Sequence, residues 1–319
     1  MAIGIPTKSL GGKEMRIVHN LEQIELAAPT VLTVGAFDGL HIGHRDLLRR
    51  LVARAKELGH VSGVVTFDPL PKSVLSSNST AVCLIDAADK ASLLEEWGLE
   101  LLVLVPFTME LARTPASEFV ALLCTSLRMA ELWIGRDFAL GHKRSGDVHA
   151  LRDLGGKLDF SIHVVDPVQE GQAVVSSTAI RQLILAGRVD EAAVMLGRFH
   201  SVKGTVVHGD ARGRQLGFPT ANLVPSASCA LPDIGVYAVY LDIDDQRYPG
   251  VANVGRRPTF GPSDLRIEVH LIDFTGDLYG RATRLHWVQR LRAERRFENT
   301  DALREQITRD VQEARLVLQ

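Results

Sequence analysis

Cysteine is scarce in this sequence. The chain has 3 cysteines in 319 residues, Cys83, Cys124 and Cys229, and they stand far apart. Neither a disulfide framework nor the close Cys and His spacing of a zinc site can be built from them. This usage is typical of a reducing compartment, so we expect a cytoplasmic protein.

An excess of positive charge and a long apolar run are also missing. The formal net charge is −2, which does not supply the basic field that attracts DNA or RNA. No segment is apolar over the length needed to cross a bilayer, and the first ten residues do not resemble a signal peptide. We therefore expect no nucleic-acid partner, no membrane partner and no leader, while a homo-oligomer is compatible with the sequence.

The composition that remains is that of a globular protein with room for two cores. Hydrophobic residues make up 46% of the chain and charged residues 23%, both ordinary for a globular chain. At roughly 150 residues per domain, the length predicts about two domains.

The stretch from Val31 to Leu51 carries the first functional pattern. Its opening apolar run predicts a buried strand, and leucines near its end recur at helical spacing. Between them the sequence reads Gly35-Ala36-Phe37-Asp38-Gly39-Leu40-His41-Ile42-Gly43-His44. The glycines permit close backbone approach, and the helix start offers free N–H groups, so the segment predicts a triphosphate site. The alternative is two ordinary surface histidines, and a zinc site lacks further ligands.

The rest of the first half alternates strands with helices. Strands are predicted over Val61–Phe67, Leu101–Val105, Glu131–Gly135 and Phe160–Val165, with helices between them. This alternation predicts a doubly wound parallel sheet, whose ligands lie beyond the carboxyl ends of the strands. Asp68 and Asp137 each follow a strand, so we expect them to converge with the histidines.

A hydroxyl-rich segment, Ser176-Ser177-Thr178-Ala179-Ile180-Arg181, precedes a further helix. Its hydroxyls serve first as a helix N-cap. The same hydroxyls and Arg181 can also bind phosphate, and both roles are compatible.

The second half changes to strands with few helices between them. Strands are predicted over 202–207, 235–243, 248–254, 267–274 and 283–291, which indicates an antiparallel barrel or sandwich. Only the last segment, 300–318, has helical periodicity, with Thr300 as the expected N-cap. We place the domain boundary between residues 1–186 and 187–319.

Two patterns in this half point to chemistry. Thr220 and Asn222 are two residues apart, so on an extended segment both oxygens face the same way and suit Mg²⁺. Glu268 alternates with apolar neighbours in a predicted strand. It is either a solvent-facing residue of a half-buried sheet or a general base.

The segment around His41 and His44 resembles the signature of the nucleotidylyltransferase superfamily. With Phe37-Asp38-Gly39 before it, it is similar to the bacterial bifunctional riboflavin kinase/FMN adenylyltransferase family, also called FAD synthetase. Independently, Gly213-Arg214-Gln215-Leu216-Gly217-Phe218-Pro219-Thr220-Ala221-Asn222 resembles the riboflavin kinase motif. The resemblance implies a Rossmann-like adenylyltransferase domain over 1–186 and a riboflavin kinase barrel with a terminal helix over 187–319.

The resemblance also implies roles for individual residues. His41, His44 and Arg181 would stabilise ATP phosphates, Glu268 would be the catalytic base of the kinase, and Thr220 and Asn222 would hold Mg²⁺. The residues implied in ATP binding are Gly35, Phe37, Asp38, Gly39, Gly43, Ser176, Ser177, Thr178, Gly209, Arg214, Gly217 and Pro219. Those implied in flavin binding are Asp68, Asp137, Arg292 and Phe297, although Phe297 could simply pack on the last helix. Riboflavin, FMN and ATP would be substrates, and FAD the final product.

Two departures from the family pattern leave alternatives open. Leu70 stands where many relatives have His, and Leu140 stands where they often have Phe. A kinase with a weakened adenylyltransferase half is therefore a second hypothesis. A flavin-binding regulatory protein without catalysis is a third, disfavoured by the intact Glu268 and histidine pair.

Overall fold

The computed structural model describes residues 14–21, 24, 26–75, 82–171, 173–208, 213, 216–244, 246–256 and 265–319. Contacts divide the chain into two units, Met1–Val175 and Ser176–Gln319. The domain boundary predicted after residue 186 stays a prediction, and it differs from this division only in the short helix that opens the second unit.

In the described part of the first unit, six strands form one parallel sheet in the order β1-β4-β3-β2-β5-β8. The strands are β1 (Arg16–Val18), β2 (Thr30–Val34), β3 (Val61–Phe67), β4 (Leu101–Val105), β5 (Met129–Gly135) and β8 (Ser161–Val165). The helices are α1 (Ile42–Leu58), α2 (Pro71–Leu75), α3 (Ala87–Glu96), α4 (Ala116–Leu127) and α5 (Val148–Leu158). Two small hairpins add β6 (Ala139–Leu140) with β7 (Gly146–Asp147), and β9 (Gln169–Glu170) with β10 (Ala173–Val174).

Both faces of this sheet are covered by helices. Successive residues of β2 point to opposite faces, so Val31 packs in one core with α1 and α3 while Leu32 packs in another with α4 and α5. A strand buried on both faces must be apolar throughout, which is why the central strands read as continuous apolar runs. The predicted doubly wound sheet is confirmed.

The second unit opens with α6 (Ser177–Leu185) and α7 (Val189–Leu196) and continues as a closed antiparallel barrel. Around the barrel the strands follow the order β11-β12-β15-β14-β13-β16. They are β11 (His200–Val207), β12 (Ala221–Pro225), β13 (Gly235–Ile243), β14 (Gln246–Arg256), β15 (Leu265–Leu271) and β16 (Ala282–Arg292). Alternate side chains such as Tyr237, Ile267 and Trp287 fill the interior. The barrel prediction is confirmed.

The chain ends in α8 (Thr300–Val317), which packs on the outside of the barrel through an apolar face that includes Ala314. Its N-cap is Asn299, whose side chain accepts a hydrogen bond from Ala302 N at 2.8 Å. The expectation of Thr300 as the cap was wrong by one residue, because both side chains can accept such a bond and the extended backbone falls at Asn299. None of the described helices has the length and apolar character needed to cross a membrane.

Candidate active sites

The first candidate site is the loop between β2 and α1. Phe37, Gly39 and Leu40 in this loop have positive φ angles of 43°, 81° and 42°. The side chains of Phe37 and Leu40 are buried in the core beside α1. Their burial offsets the cost of the left-handed backbone, so the loop is held in one shape at the carboxyl end of β2.

His41 and His44 come together at the start of α1. His41 is the N-cap, and its Nδ1 accepts a hydrogen bond from His44 N at 3.3 Å. The two imidazole rings stack with their centroids 3.7 Å apart. A Cβ at Gly43 would come within 3.2 Å of the His41 ring, so this position favours glycine. Two imidazoles at the positive end of a helix dipole can stabilise the phosphates of a nucleotide.

A buried lysine that the sequence reading did not identify braces this loop. Lys90, on α3, is only 4% exposed, and its Nζ donates to the Ala36 carbonyl at 2.9 Å. Thr66 Oγ1 donates to the same carbonyl at 3.1 Å. Burial lowers the pKa of Lys90, and the Asp38 and Asp68 carboxylates oppose that shift. The lysine therefore joins α3 to the loop and adds positive charge beside two predicted site residues.

Two of the predicted ATP-binding residues support the loop itself. Gly35 N donates to the Val65 carbonyl at 3.0 Å. Asp38 is buried, and its Oδ1 accepts a hydrogen bond from Leu84 N at 2.7 Å. Their contact with ATP stays a prediction.

An apolar cavity of about 250 Å³ opens beyond the carboxyl ends of β2 and β3. Val34, Phe67, Phe107, Phe119, Leu140 and Arg144 are among its lining residues. Its aromatic and aliphatic walls suit a flat ring system. Sequence reasoning did not find this cavity, because its walls come from separate elements of the first unit.

The predicted flavin-binding aspartates lie near this region. Asp68 directly follows Phe67 at the end of β3. Asp137 lines a neighbouring cavity of about 560 Å³ together with Arg144. Arg144 borders both cavities, and its Nη2 donates to the Asp137 carbonyl at 2.9 Å. This arginine is a further candidate residue, which the sequence analysis did not identify.

The hydroxyl-rich segment forms the start of α6. Ser176 is the N-cap, and its Oγ accepts a hydrogen bond from Ala179 N at 3.2 Å. Ser177 and Thr178 form the first turn of the helix. The capping role is thus confirmed, and phosphate binding by this turn and Arg181 stays a prediction.

The second candidate site is a polar row across three strands of the barrel. Glu268 of β15 is paired in register with Asn222 of β12 on one side and with Asn253 of β14 on the other. Their neighbours Ile267 and Val269 are buried in the barrel core. The alternation of strand side chains therefore puts the row on the outer face.

An arginine joins the predicted base to the predicted metal ligand. Arg266 Nε donates to Asn222 Oδ1 at 2.5 Å and lies 2.9 Å from Glu268 Oε1. The Arg266 guanidinium is therefore a cationic partner of both oxygens. Among the described residues, no group of three or more His, Cys, Asp and Glu side chains could hold a metal ion.

A cavity of about 120 Å³ lies where β12 begins and β15 ends, and its lining includes Ala221 and Val269, which belong to the barrel core. Pro219, Thr220 and Tyr279 are among its lining residues. The Tyr279 ring stacks on His208 with centroids 3.6 Å apart, and such a platform suits a nucleotide base. Gly217, which comes two residues before the lining residue Pro219 in the sequence, has a positive φ of 87°. The predicted residues Gly209 and Arg214 lie outside the described residues.

Arg292 is the last residue of β16, and Phe297 lies between β16 and α8. Arg292 forms a bidentate ion pair with the buried Asp310, with Nη2 to Oδ2 at 2.7 Å and Nε to Oδ1 at 2.9 Å. The Phe297 ring lies beneath two guanidinium groups, with Arg295 at 4.9 Å and Arg292 at 5.8 Å from its centroid. The structure explains how this segment is held to α8, while flavin contact by these residues stays a prediction.

Together, an α/β unit with a helix start suited to phosphate and a barrel with a second polar site are features of a two-domain enzyme that uses nucleotides. A family model described as FAD synthetase matches residues 23–179, and one described as riboflavin kinase matches residues 196–318. The chain belongs to the bifunctional riboflavin kinase/FMN adenylyltransferase family, and it is an enzyme with both activities.

Relatives with this description match almost the whole chain. The Bacillus subtilis enzyme is 36% identical over 95% of this chain and 97% of its own length. The Pseudomonas fluorescens enzyme is 39% identical over 94% of this chain and 96% of its own. A crystal structure described as a macrolide-efflux protein from Streptococcus pneumoniae is 33% identical with a TM-score of 0.88, covering 94% of this chain and 98% of that one.

Proposed function

We propose that FMN and FAD are made at two separate sites of this chain. The barrel face around Glu268 phosphorylates riboflavin, and the loop around His41 and His44 transfers the adenylyl group to FMN. Residues 1–186 would form the adenylyltransferase half and residues 187–319 the kinase half. ATP is the co-substrate of both steps.

In the kinase step, Glu268 accepts the proton of the riboflavin 5′-hydroxyl. The hydroxyl oxygen bonds to the γ-phosphorus of ATP as the bond from that phosphorus to the β-phosphate oxygen breaks, which releases ADP. A hydroxyl needs such a base because its pKa is far above neutrality. The outer polar row supports this assignment, because it brings Glu268 and Asn222 to one place from two strands.

Thr220 and Asn222 would hold the Mg²⁺ that accompanies ATP. Hydroxyl and amide oxygens are hard ligands of the kind Mg²⁺ prefers. Asn222 Oδ1 accepts a hydrogen bond from Arg266 Nε at 2.5 Å, so the metal would take the place of that donor. When bound, Mg²⁺ supplies charge neutralisation for the phosphates. Pro219 and Tyr279 would receive the adenine in the cavity of about 120 Å³ that they line.

In the adenylyl-transfer step, an FMN phosphate oxygen bonds to the α-phosphorus of ATP, and pyrophosphate leaves. The nucleophile is already anionic, so the site needs positioning and positive charge in place of a base. The positive end of the α1 dipole would supply that charge, and the stacked imidazoles would donate hydrogen bonds to the phosphates. The apolar cavity lined by Phe67 and Leu140 would receive the isoalloxazine ring.

A single time course tests both steps. The pure protein is incubated with riboflavin, ATP and Mg²⁺, and the flavins are separated by chromatography. We expect FMN first and FAD second. Accumulation of FMN without FAD, even when FMN is supplied directly, would contradict the first-half proposal and direct attention to Leu140.

We further propose a cytoplasmic location, without nucleic-acid or membrane partners.

A further inference from the structure

Arg266 stands at the centre of the kinase site, although neither the ATP motif nor the base requires it. It shares the outer face of β15 with Glu268, two residues further on. Its guanidinium touches Glu268 Oε1 at 2.9 Å and Asn222 Oδ1 at 2.5 Å. It therefore lies between the residue proposed to take the hydroxyl proton and a residue proposed to hold the metal.

The backbone fixes this position. Ile267, between Arg266 and Glu268, is fully buried in the barrel core, and Gly255 of β14 is the register partner of Arg266. A one-residue shift of β15 would turn Ile267 outward and both charged residues inward. Arg266 is also only 28% exposed, whereas a solvated surface pair would keep its guanidinium in water.

We propose that Arg266 contacts the γ-phosphoryl group as it passes from ATP to riboflavin, an inference that rests on the proposed roles of Glu268 and Asn222. The acceptor hydroxyl is held at Glu268, and the donor phosphates are held at Asn222. The transferred phosphoryl group must pass between Glu268 and Asn222. The N–H donors of Arg266 already contact an oxygen of each of these residues.

The chemistry of the step explains why an arginine belongs there. Negative charge spreads over the three equatorial oxygens of the transferred group while one P–O bond forms and the other breaks. A guanidinium presents planar, paired N–H donors that match two of these oxygens. On ATP binding, Arg266 exchanges the Asn222 oxygen for phosphate oxygens, which leaves Asn222 for the metal. The proton still goes to Glu268, and ADP still leaves.

Arg266→Met removes the guanidinium and keeps the aliphatic stem. We expect kcat for FMN formation to fall about a thousandfold, in the range of arginines that contact a transferred phosphoryl group. The KM for riboflavin should change less than about threefold, since uniform binding is unaffected. FAD formation from supplied FMN should be unchanged. Added guanidinium ion should restore part of the lost kcat. Arg266→Lys should retain little activity, because the lysine ammonium lacks the planar, paired N–H donors of a guanidinium.

Arg247→Met is the matched control. Arg247 is also a barrel arginine paired with a carboxylate, Asp242 at 2.7 Å, and is 34% exposed. It lies toward the other end of β14 from Gly255. This pair is shielded about as well as that of Arg266, so the comparison separates position from the loss of an ion pair. The variant should keep both activities within about twofold of the unmodified protein, because Arg247 belongs to neither proposed site.

A binding measurement separates phosphoryl contact from structural support. In calorimetry with Mg²⁺, Arg266→Met should bind ADP nearly as the unmodified protein does. It should bind ADP with aluminium fluoride and riboflavin at least about tenfold more weakly, because only that complex mimics the transferred group. Equal affinities for the fluoride complex, or kcat retained within about threefold, would overturn the proposal.

Two further outcomes assign a failure to its cause. A higher kcat at lower Mg²⁺ in Arg266→Met would mean that the arginine only competes with the metal for Asn222, which also overturns the proposal. FMN formation that survives Glu268→Gln would instead refute the proposed base, whatever Arg266 does.

Discussion

The ion pair between Arg292 and Asp310 allows a sharp test of how α8 is held to the barrel. Asp310 accepts from Arg292 Nε and Nη2, and its Oδ1 also accepts from Gln306 Nε2 at 2.7 Å. Its side chain is only 3% exposed. Asp310→Ala removes the acceptor and leaves the guanidinium half-buried, where it still contacts the Ala293 carbonyl at 3.1 Å and the Phe297 ring at 5.8 Å.

The size of the effect follows from this burial. Removing one partner of a buried pair leaves an uncompensated charge and costs about 3 kcal/mol. For a unit of this size, that loss lowers the unfolding temperature by roughly 10 °C. Glu305→Ala on the same helix is the matched control. Glu305 pairs with Arg309 at 3.5 Å and is 71% exposed, so its loss should cost less than about 1 kcal/mol.

Heating each variant and assaying both activities measures the difference. The temperature that leaves half of the kinase activity should fall by roughly 10 °C in Asp310→Ala and by less than about 3 °C in Glu305→Ala. The adenylyltransferase activity of the same samples should be lost at its usual temperature. Equal kinase values for the two variants would refute the argument from burial, and a parallel loss of both activities would refute its restriction to the barrel.

The remaining predictions concern the two sites and pH. Glu268→Gln should lower FMN formation by about 10²- to 10⁴-fold and leave the conversion of FMN to FAD intact. In the same flavin assay, His44→Ala should lower FAD formation and leave FMN formation intact. Loss of both activities in either folded variant would contradict the two-site assignment. Lys90→Met should lower kcat for FAD formation about tenfold, because the loop between β2 and α1 would be misplaced, and it should leave the kinase activity unchanged. The control variant Lys157→Met, at an exposed lysine, should behave as the unmodified protein. Burial lowers the pKa of His200 to about 4. Below about pH 6.5, the histidine is therefore protonated in the unfolded chain while it stays neutral in the folded chain until the pH approaches 4. The second unit should therefore lose stability between about pH 6.5 and 4, and chemical unfolding of His200→Gln should show a flatter dependence.

The sequence predicted the elements whose residues alternate or repeat in a regular way. Val61–Phe67 and Leu101–Val105 have the predicted bounds, because strands buried on both faces leave clear apolar runs. No strand was predicted over Ala221–Pro225, which is a strand of the barrel. In the sequence analysis, Thr220 to Asn222 was taken only as an extended segment. The five residues of this strand include a polar one and end in proline, so they carry little periodicity.

The contacts within the sites were harder to predict. Lys90 lies 54 positions from the Ala36 carbonyl, and Arg266 lies 44 positions from Asn222. No local spacing reports such pairs, because the packing of α3 and the order of barrel strands decide them. A buried lysine also contradicts the usual preference of lysine for water. By contrast, Asn222 and Glu268 were found separately, since each belongs to a short pattern of its own.

The pairing of β12, β15 and β14 has a consequence for changes in chain length. Because side chains alternate in and out along a strand, deletion of one residue within β15 ahead of Glu268 would invert the strand's two faces without altering any remaining side chain. The glutamate would meet the apolar interior, and an aliphatic residue would meet Asn222 and Asn253. The proposed catalytic face of this barrel is thus encoded in the alignment of its strands as much as in the identity of its residues.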